Sequence, residues 1–284
     1  MMNLNEVVRY LEENYSELKP EIVTSAKNGG EKTGISVSVR EGFSMIYYPS
    51  EEDTDLRGVA EKILDQLEAA KEEVPLENFK MPKTLSEVED ILSIGVMNEK
   101  HEDMVKSHQV VTKRMEDVIL YPVVVLNQNM SFKVTENFLT LWDVTVDQVF
   151  DAAFASKELN NVSLLTFDAI FESKPVNYLD GTKTIPENTP FLCLRSQGSY
   201  LTAGAIFSRE IQEKLISMFP DGFYILPSSI YEVLIISFKM AGAADAEDFK
   251  SIVKEINGTD AVTSEDYLSD SVYTIVDHKF KKIA

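Results

Sequence analysis

GFYILPSSIYEVLII, residues 222–236, consists of two apolar runs joined by a short polar break. In the first run the side chains that alternate between the two faces of a strand are all apolar, which is typical of a central strand covered on both faces. Pro227 ends that strand, and the spacing from Ser229 to Glu232 matches a capping box. We therefore expect strands over 222–226 and 232–238, with one helical turn between them and the serines as caps.

The segments around this stretch extend the pattern. Alternating or continuous apolar runs predict further strands over 200–207 and 272–276, and an apolar spacing near 3.6 residues predicts helices over 209–219 and 245–257. The resulting order, β-α-β-β-α-β, is the one used by ferredoxin-like sheets. We expect an α+β fold with mixed or antiparallel sheets flanked by helices and this C-terminal unit.

The rest of the chain predicts two domains. Residues 1–80 have the pattern of an α-β-β-β-α unit, and a connector with two prolines over 74–83 separates them from a larger α+β domain, residues 81–284. In the larger domain a buried strand over 117–126 contains Pro122, which indicates an edge strand or a bulge. Helices over 136–142 and 146–156 follow, and the loop-rich span 173–190 is either a flap or a variable insertion.

The charge of the chain is its one unusual compositional feature. Lysine and arginine number 27 against 47 aspartate and glutamate, which gives a formal net charge of -20. Such a balance argues against direct binding to nucleic acid or to an anionic membrane through a broad basic face. It favours a well-solvated acidic surface, and a nucleic-acid mimic that occupies a partner's basic groove is the sharper alternative.

Cellular location is predicted from what the N-terminus and the apolar runs contain. The first residues lack the basic and apolar regions of a secretory signal, and the longest apolar runs have the length of strands. We expect a cytoplasmic protein that spans no membrane. The single cysteine, Cys193, lies in an apolar strand-like run and is predicted to be a buried structural thiol.

Motifs that specify a reaction or a cofactor do not occur in the sequence. Nucleotide-binding loops, a nucleophile elbow, an EF-hand loop and a zincin helix are all missing. His101 and His108 would stand roughly 10 Å apart along one helix, so they need other ligands to hold a metal ion. We therefore expect no metal and no cofactor, assign no catalytic residue and lean away from an enzyme.

Candidate binding residues lie in and near the polar break. Hydroxyl and carboxylate groups there could contact a ligand or a partner, and the last predicted strand would add two more if it pairs nearby. The set is Ser228, Ser229, Tyr231, Glu232, Ser269 and Asp270. The competing interpretation is structural, with the serines as caps, because neither a base nor an oxyanion hole can be assigned to a serine nucleophile here.

Several of these segments carry a resemblance. The runs 223–230 and 232–235, then Asn257-Gly258-Thr259 and Leu268-Ser269-Asp270-Ser271-Val272-Tyr273, resemble the C-terminal signature of the DUF5688 family of Firmicutes proteins. The resemblance is strong over 200–276 and weaker but collinear elsewhere, and a more distant one is to DUF1444 proteins. It implies a fold and a bacterial cytoplasmic setting. It implies no activity, since the family has no assigned function. The family usually has histidine where this chain has Tyr231, which makes catalysis there less expected.

Three functions remain open at this point. The first is a non-enzymatic module that binds a protein partner or regulates it. The second is a small-molecule-binding or hydrolytic protein that uses the Pro-Ser-Ser segment. The third is an acidic nucleic-acid mimic that inhibits a defence enzyme or an enzyme that processes DNA or RNA. We expect a protein partner and no direct contact with nucleic acid.

Overall fold

The computed structural model of the chain describes residues 3–27, 29–40, 43–50, 52–73, 81–127, 131–171, 175–196, 202–227, 229–259 and 262–284. The chain divides into two compact units, Met1–Met81 and Pro82–Ala284. The connector expected over 74–83 lies mostly outside the described residues. Helices and three antiparallel sheets make up the described part, so the expected α+β class is confirmed.

The N-terminal unit is a three-stranded sheet with two helices. In chain order it contains α1 (Leu4–Asn14), a 3-10 helix (Ser16–Leu18), β1 (Glu21–Lys27), β2 (Gly30–Arg40), β3 (Phe43–Tyr47) and α2 (Leu56–Glu73). The strands pair antiparallel in the order β1-β2-β3. The apolar stripes of both helices share one buried cluster with Ile35 and Val37 of β2, because those two residues point to the same face of the sheet. This is the element order that the sequence predicts.

A buried carboxylate fixes the entry to α2. Asp53 is 5% exposed and accepts hydrogen bonds from the Tyr47 hydroxyl at 2.8 Å, the Ser50 amide at 2.7 Å and the Lys62 ammonium at 2.6 Å. The bond from Lys62, followed by the bond from the Ser50 amide, lowers the pKa of Asp53 to about 2. Strand β3, the following turn and helix α2 therefore meet at one ionised group.

The C-terminal unit begins with a four-stranded antiparallel sheet. Its strands are β4 (Leu92–Asn98), β5 (Lys113–Met115), β6 (Val118–Val125) and β7 (Ser131–Lys133). They are arranged as β4-β6-β5, and β7 pairs with β6 beyond the end of β5. Strand β6 is therefore internal, and the expectation of an edge strand or a bulge at Pro122 is wrong. Proline is tolerated because its carbonyl accepts from the Val134 amide, so its nitrogen faces the gap between β5 and β7.

Helices cover this sheet and connect it to the next one. They are α3 (Glu102–Ser107), α4 (Glu136–Trp142), α5 (Val146–Ala155) and α6 (Lys157–Asn160), with 3-10 turns at Leu85–Glu87, Glu89–Ile91 and Glu99–His101. A full capping box at Thr145 and Gln148 starts α5. Trp142 is 6% exposed and donates its indole N–H to the Pro82 carbonyl at 2.9 Å, so it is a core residue.

A six-stranded antiparallel sheet forms the rest of the unit. Its strands are β8 (Val162–Thr166), β9 (Leu192–Ser196), β10 (Phe223–Leu226), β11 (Val233–Ser237), β12 (Tyr273–Val276) and β13 (Lys279–Lys282). Its helices are α7 (Arg209–Met218), α8 (Phe238–Ala241) and α9 (Ala246–Asn257), with 3-10 helices at Asp168–Phe171 and Thr202–Phe207. The strands are arranged as β13-β12-β10-β11-β9-β8. Strands β9 and β10 run parallel with β11 between them, which is a split β-α-β unit.

The strand predicted over 200–207 is wrong. Residues 202–207 form a 3-10 helix instead, and β9 supplies the first strand of the β-α-β-β-α-β order. Ala203, Ala205 and Ile206 are all buried, so the apolar run has no exposed face that would show a period of two. Gly204 lies against β4 so closely that a Cβ atom there would overlap the carbonyl oxygen of Ile94. Close backbone packing, which the pattern of apolar residues does not report, selects the helix.

The central strands are covered on both faces, as the opening stretch predicts. On one face Phe223, Ile225 and Ile235 join the main core of the unit. On the other face Leu226 and Ile236 join a smaller cluster, which also contains Val253 of α9, Val272 and Ala284. Helix α9 is thus the main cover of the second face over these strands.

Candidate functional site

The turn between β10 and β11 is described over residues 227 and 229–232, which are held mainly by hydrogen bonds of the backbone. The Ser229 hydroxyl accepts from the Tyr231 amide at 3.1 Å, and the Ser229 amide donates to the Glu232 carbonyl at 3.4 Å. Ser228 lies outside the described residues. The expected helical turn is not formed over the described residues 229–232. The capping box is not formed either, because the Ser229 amide donates to the backbone carbonyl of Glu232 and not to its carboxylate. Ser229 still satisfies a backbone amide, which agrees with the structural interpretation.

Ile230 ties this turn to two other segments. It is 6% exposed, its amide donates to the Asp266 carbonyl at 3.2 Å, and its carbonyl accepts from the Ala203 amide at 3.2 Å. Three stretches that are distant in sequence therefore meet at one buried residue. The turn is a junction of the fold.

Glu232 and Cys193 form a contact on the second face of the sheet. The Cys193 thiol donates to the Glu232 carboxylate at 3.4 Å, and the cysteine has no exposed surface. Burial and the neighbouring carboxylate both raise the pKa of the thiol far above its usual range. A thiol that stays protonated is a poor nucleophile, so this contact is structural.

A cluster of polar groups surrounds Asp117, whose carboxylate has four side-chain partners among the described residues. Asp117 lies in the turn between β5 and β6, after Glu116 with its left-handed backbone (φ 55°). Its carboxylate accepts from Ser269 Oγ at 3.2 Å, Ser271 Oγ at 2.8 Å, Lys282 Nζ at 2.9 Å and the Tyr273 hydroxyl. We call these five residues the Asp117 cluster.

The local sequence explains how three of the hydroxyls reach one carboxylate. Ser269, Ser271 and Tyr273 are two residues apart, so in an extended chain their side chains share one face. Tyr273 begins β12 and pairs with Ile225 of β10, and Lys282 lies opposite Tyr273 on β13. The segment that carries the family resemblance therefore presents its polar side chains to the β5–β6 turn.

The electrostatics of the cluster favour a fixed charge. Burial acts to raise the pKa of Asp117, but the hydrogen bonds from Tyr273, Lys282 and Ser271 outweigh it and lower the pKa below its usual range. Burial and the hydrogen bond to Asp117 raise the pKa of Tyr273 far above its usual value. The pKa values of both groups are moved further from neutral pH, whereas a general acid or base works best with a pKa near it. The cluster can hold two sheets together through an ionised carboxylate.

Asp270 faces a different partner from Ser269. It accepts from the Asn257 side-chain amide at 2.9 Å, at the end of α9. The Leu268 carbonyl accepts from Asn98 at 2.7 Å, and the Lys100 ammonium lies 4.6 Å from the centre of the Tyr267 ring. The loop before β12 is therefore held from both sides.

The predicted site residues are thus divided among three places. Ser229, Tyr231 and Glu232 share the turn, Ser269 belongs to the Asp117 cluster, and Asp270 bonds to Asn257. Sequence reasoning missed Asp117 as the partner of Ser269, and it missed Lys282 as a second partner of Asp117. The alternation of Ser269, Ser271 and Tyr273 could have indicated a shared polar face, although nothing nearby identifies Asp117 as its acceptor.

Neither metal ligation nor membrane crossing has support in the described part of the chain. Among the described residues, no group of three or more histidine, cysteine, aspartate or glutamate side chains is arranged to hold a metal ion. His108 Nδ1 lies 2.9 Å from the Met104 carbonyl, and His101 Nε2 is buried without a hydrogen-bond partner. No helix in the ranges given above combines the length and the apolar character needed to cross a bilayer.

Comparison with known proteins gives one match. No curated protein and no solved structure matches the chain. The family model described as "Family of unknown function (DUF5688)" matches residues 5–275, which includes both the opening stretch and the segment that builds the Asp117 cluster. The chain therefore belongs to the DUF5688 family.

Proposed function

We propose that this protein works by binding another protein and that it is not an enzyme. The observation that carries the proposal is an exposed apolar pair on α9. Ile252 and Ile256 are 50% and 44% exposed, and they lie one turn apart on the same side of the helix.

Helix α9 is well anchored by its other side. Asp245 caps it through the amides of Glu247 and Asp248, Phe249 packs 5.1 Å from the Tyr224 ring, and Val253 is 7% exposed. The isoleucines are therefore held on a fixed scaffold and are not part of a loose end. Each half-exposed isoleucine leaves about 1 kcal/mol of burial free energy to be gained in a complex.

The surroundings of the pair resemble the rim of a protein interface. Ser251, Lys254 and Glu255 are exposed beside the isoleucines. Protein interfaces commonly have an apolar centre with a polar, hydrated margin. A large apolar pair in a strongly acidic protein suits such a role better than it suits solubility.

The polar groups support the same proposal. The hydroxyls of Ser229, Ser269 and Tyr273 each bond to a group that stabilises the fold. A hydrolytic function would require one of these groups to leave its present partner. A ligand-binding role for the turn has no comparable observation in its favour.

Affinity capture from the native host tests the proposal. The tagged protein and its Ile252→Ser/Ile256→Ser variant are compared with a Leu141→Ser control, since Leu141 is 53% exposed on α4. A partner retained by the wild type and the control but lost by the double variant is the expected result. Equal capture by all three would contradict the proposed surface.

The salt dependence of capture separates the mimic from an apolar interface. A basic nuclease or polymerase that leaves the protein between about 0.1 M and about 0.5 M salt would indicate nucleic-acid mimicry, because screening weakens exposed charge pairs. A partner held through the isoleucines should stay bound over that range. Circular dichroism of each variant shows whether the fold is kept.

A further inference from the structure

The outer edge of β13 differs from the rest of this acidic protein. Strand β13 pairs with β12 on one side, and no strand of the described chain pairs with its other side. Its sequence is Lys279-Phe280-Lys281-Lys282, in a chain with a net charge of -20. The open edge is therefore locally basic.

The direction of the backbone groups on this edge follows from one bond. The Ile283 amide donates to the Val272 carbonyl at 2.9 Å, so the amide of residue 283 faces β12. In an antiparallel strand the direction of the amides alternates, so those of Lys279 and Lys281 also face β12. The amides and carbonyls of Phe280 and Lys282 consequently face outward.

The side chains on this edge divide between the two faces of the sheet. Phe280 is 6% exposed in the main core, and Lys282 bonds to Asp117. Lys279 and Lys281 point to the opposite face and are exposed, and of the three lysines in β13 only Lys282 pairs with a carboxylate of the described residues. Val276 and Ile283, each 42% exposed, lie opposite or next to these two lysines.

The hairpin that presents this edge has a tight two-residue turn and a regular register. Asp277 and His278 both have left-handed backbones (φ 50° and 57°), which is the conformation of a two-residue type I′ turn. Strands β12 and β13 are in register from Val276 and Lys279 to Tyr273 and Lys282. An incoming strand would therefore meet a preformed template.

We propose that β13 binds an extended acidic segment of a partner protein, which adds a seventh strand to the sheet. This rests on protein binding as the function and specifies the partner. Two residues of the partner exchange hydrogen bonds with Phe280 and Lys282, and the alternate residues place carboxylates beside Lys279 and Lys281. The recognised pattern is an acidic residue at every second position.

A second copy of the chain fits this edge poorly. Antiparallel pairing centred on Lys281 would place the two Lys281 side chains opposite each other, and pairing centred on Phe280 would place Lys279 opposite Lys281. Like charges directly opposite each other on neighbouring strands are destabilising. Lysines on an edge strand are a common protection against such self-pairing. The same lysines that repel a second copy would attract the carboxylates of an acidic partner.

A peptide of alternating glutamate and threonine is the probe, measured by fluorescence anisotropy with the full-length protein. We expect saturable binding at about 0.15 M salt, where charges beyond about 8 Å are screened and the distant carboxylates of the protein repel little. The peptide with glutamine in place of glutamate should bind at least about tenfold more weakly, because it lacks the ion pairs.

Backbone methylation distinguishes strand addition from simple charge attraction. N-methylation of the threonines, whose amides should face β13, is expected to abolish binding, whereas N-methylation of the glutamates, whose amides should face away, is expected to preserve it. Equal effects of the two modifications would overturn the proposal.

Charge reversal on the protein completes the test. Lys279→Glu/Lys281→Glu should lose the acidic peptide and gain the matching lysine–threonine peptide, and this gain shows that the hairpin is still folded. The control is Lys183→Glu/Lys239→Glu, which changes two exposed lysines elsewhere by the same total charge and should bind normally. Loss of binding in both variants would overturn the proposal.

Two outcomes separate this inference from the proposed function. If the native partner depends on Ile252 and Ile256 but the peptides do not bind, the edge is not the site and protein binding through α9 stands. If sedimentation shows a dimer that Lys281→Glu dissociates, the edge is a self-interface and the acidic-segment proposal is wrong.

Discussion

Asp53 shows how one residue can stabilise a unit and make its stability depend on pH. Its pKa is lowered to about 2, first by Lys62 and then by the Ser50 amide. A lowered pKa in the folded state means that the ionised form stabilises the fold. This contribution is complete above the pKa of the unfolded chain, near 4, and is lost as the pH falls towards 2.

Replacing Asp53 should therefore destabilise the N-terminal unit at neutral pH. For Asp53→Asn we expect a loss of about 2 kcal/mol at pH near 7, or roughly thirtyfold faster hydrogen exchange in β3 and α2. The difference from the wild type should shrink at about pH 3, where the wild type begins to lose the same charge. Asp65→Asn, on the exposed side of α2, is the control and should change little. An unchanged exchange rate in Asp53→Asn would refute the role given to this group.

Asp117 is the corresponding residue of the C-terminal unit. Asp117→Ala removes the acceptor of three hydroxyls and of Lys282, of which the Tyr273 hydroxyl keeps a bond to Ser269 Oγ, and it should lower the free energy of unfolding by about 3 kcal/mol. Trp142, the single tryptophan and a core residue of the same unit, reports the transition by fluorescence in urea. Because the pKa of Asp117 is lowered, its contribution should be present above the usual value of 3.8 and decline below it.

The neighbouring glutamate provides the control for that variant. Glu116 has an exposed side chain on the same turn. Glu116→Gln removes its charge and leaves a side chain of the same size on the left-handed backbone. It should unfold within about 0.5 kcal/mol of the wild type. If Asp117→Ala unfolds at the same urea concentration as this control, the cluster does not hold the sheets together.

At the scale of elements, the sequence predicts best where a helix has one clear apolar stripe or where an apolar strand ends at a turn signal. Helices α7 and α9 and strands β10 and β11 fall within one or two residues of their expected positions. The prediction over 200–207 is wrong because the side chains of Ala203, Ala205, Ile206 and Phe207 are all buried, so a short helix and a buried strand have the same apolar pattern. The prediction of an edge strand or a bulge at Pro122 is wrong because β5 and β7 leave a gap beside this residue, where an internal strand can accept a proline. Local sequence does not show where neighbouring strands begin and end.

Gly204 is the element-scale position where a single atom should matter most. Gly204→Ala places a Cβ atom against the Ile94 carbonyl and should separate the 3-10 helix from β4, at a cost of about 3 kcal/mol. Gly258→Ala is the matched control, because its backbone is right-handed and the nearest atoms lie at 3.4 Å. Urea unfolding followed by Trp142 compares the two variants, and equal midpoints would contradict the close approach.

At the scale of the whole molecule, net charge is the property that can be read most directly from the sequence. With 47 acidic and 27 basic side chains, self-repulsion opposes the compact state. We expect the thermal midpoint to rise as salt increases from about 0.02 to about 0.3 M, because screening weakens this repulsion. The Glu61→Gln/Asp65→Asn variant, which removes two exposed acids from α2, should show a smaller rise. A midpoint that falls with salt would mean that exposed ion pairs outweigh the repulsion.

The arrangement of the candidate site also belongs to the whole molecule, which is why local sequence predicts it poorly. The sequence places Ser269 and Asp270 near Ser229 on condition that β12 pairs nearby, and β12 does pair with β10. Their side chains nevertheless reach Asp117 and Asn257. Which face of a strand meets which turn depends on the packing of two sheets, and no local pattern in one chain encodes it.

The distance along the chain between Asp117 and its partners has a consequence for biosynthesis. Lys282 follows Asp117 by 165 residues, so at typical elongation rates roughly 10 to 30 s pass before the ribosome has made both. During that interval the β5–β6 turn has a carboxylate without its partners, and β10 has no β12 beside it. The six-stranded sheet of the C-terminal unit is therefore completed only when residues 273–282 have been synthesised. Until then the unpaired edge of β10 is accessible to a chaperone.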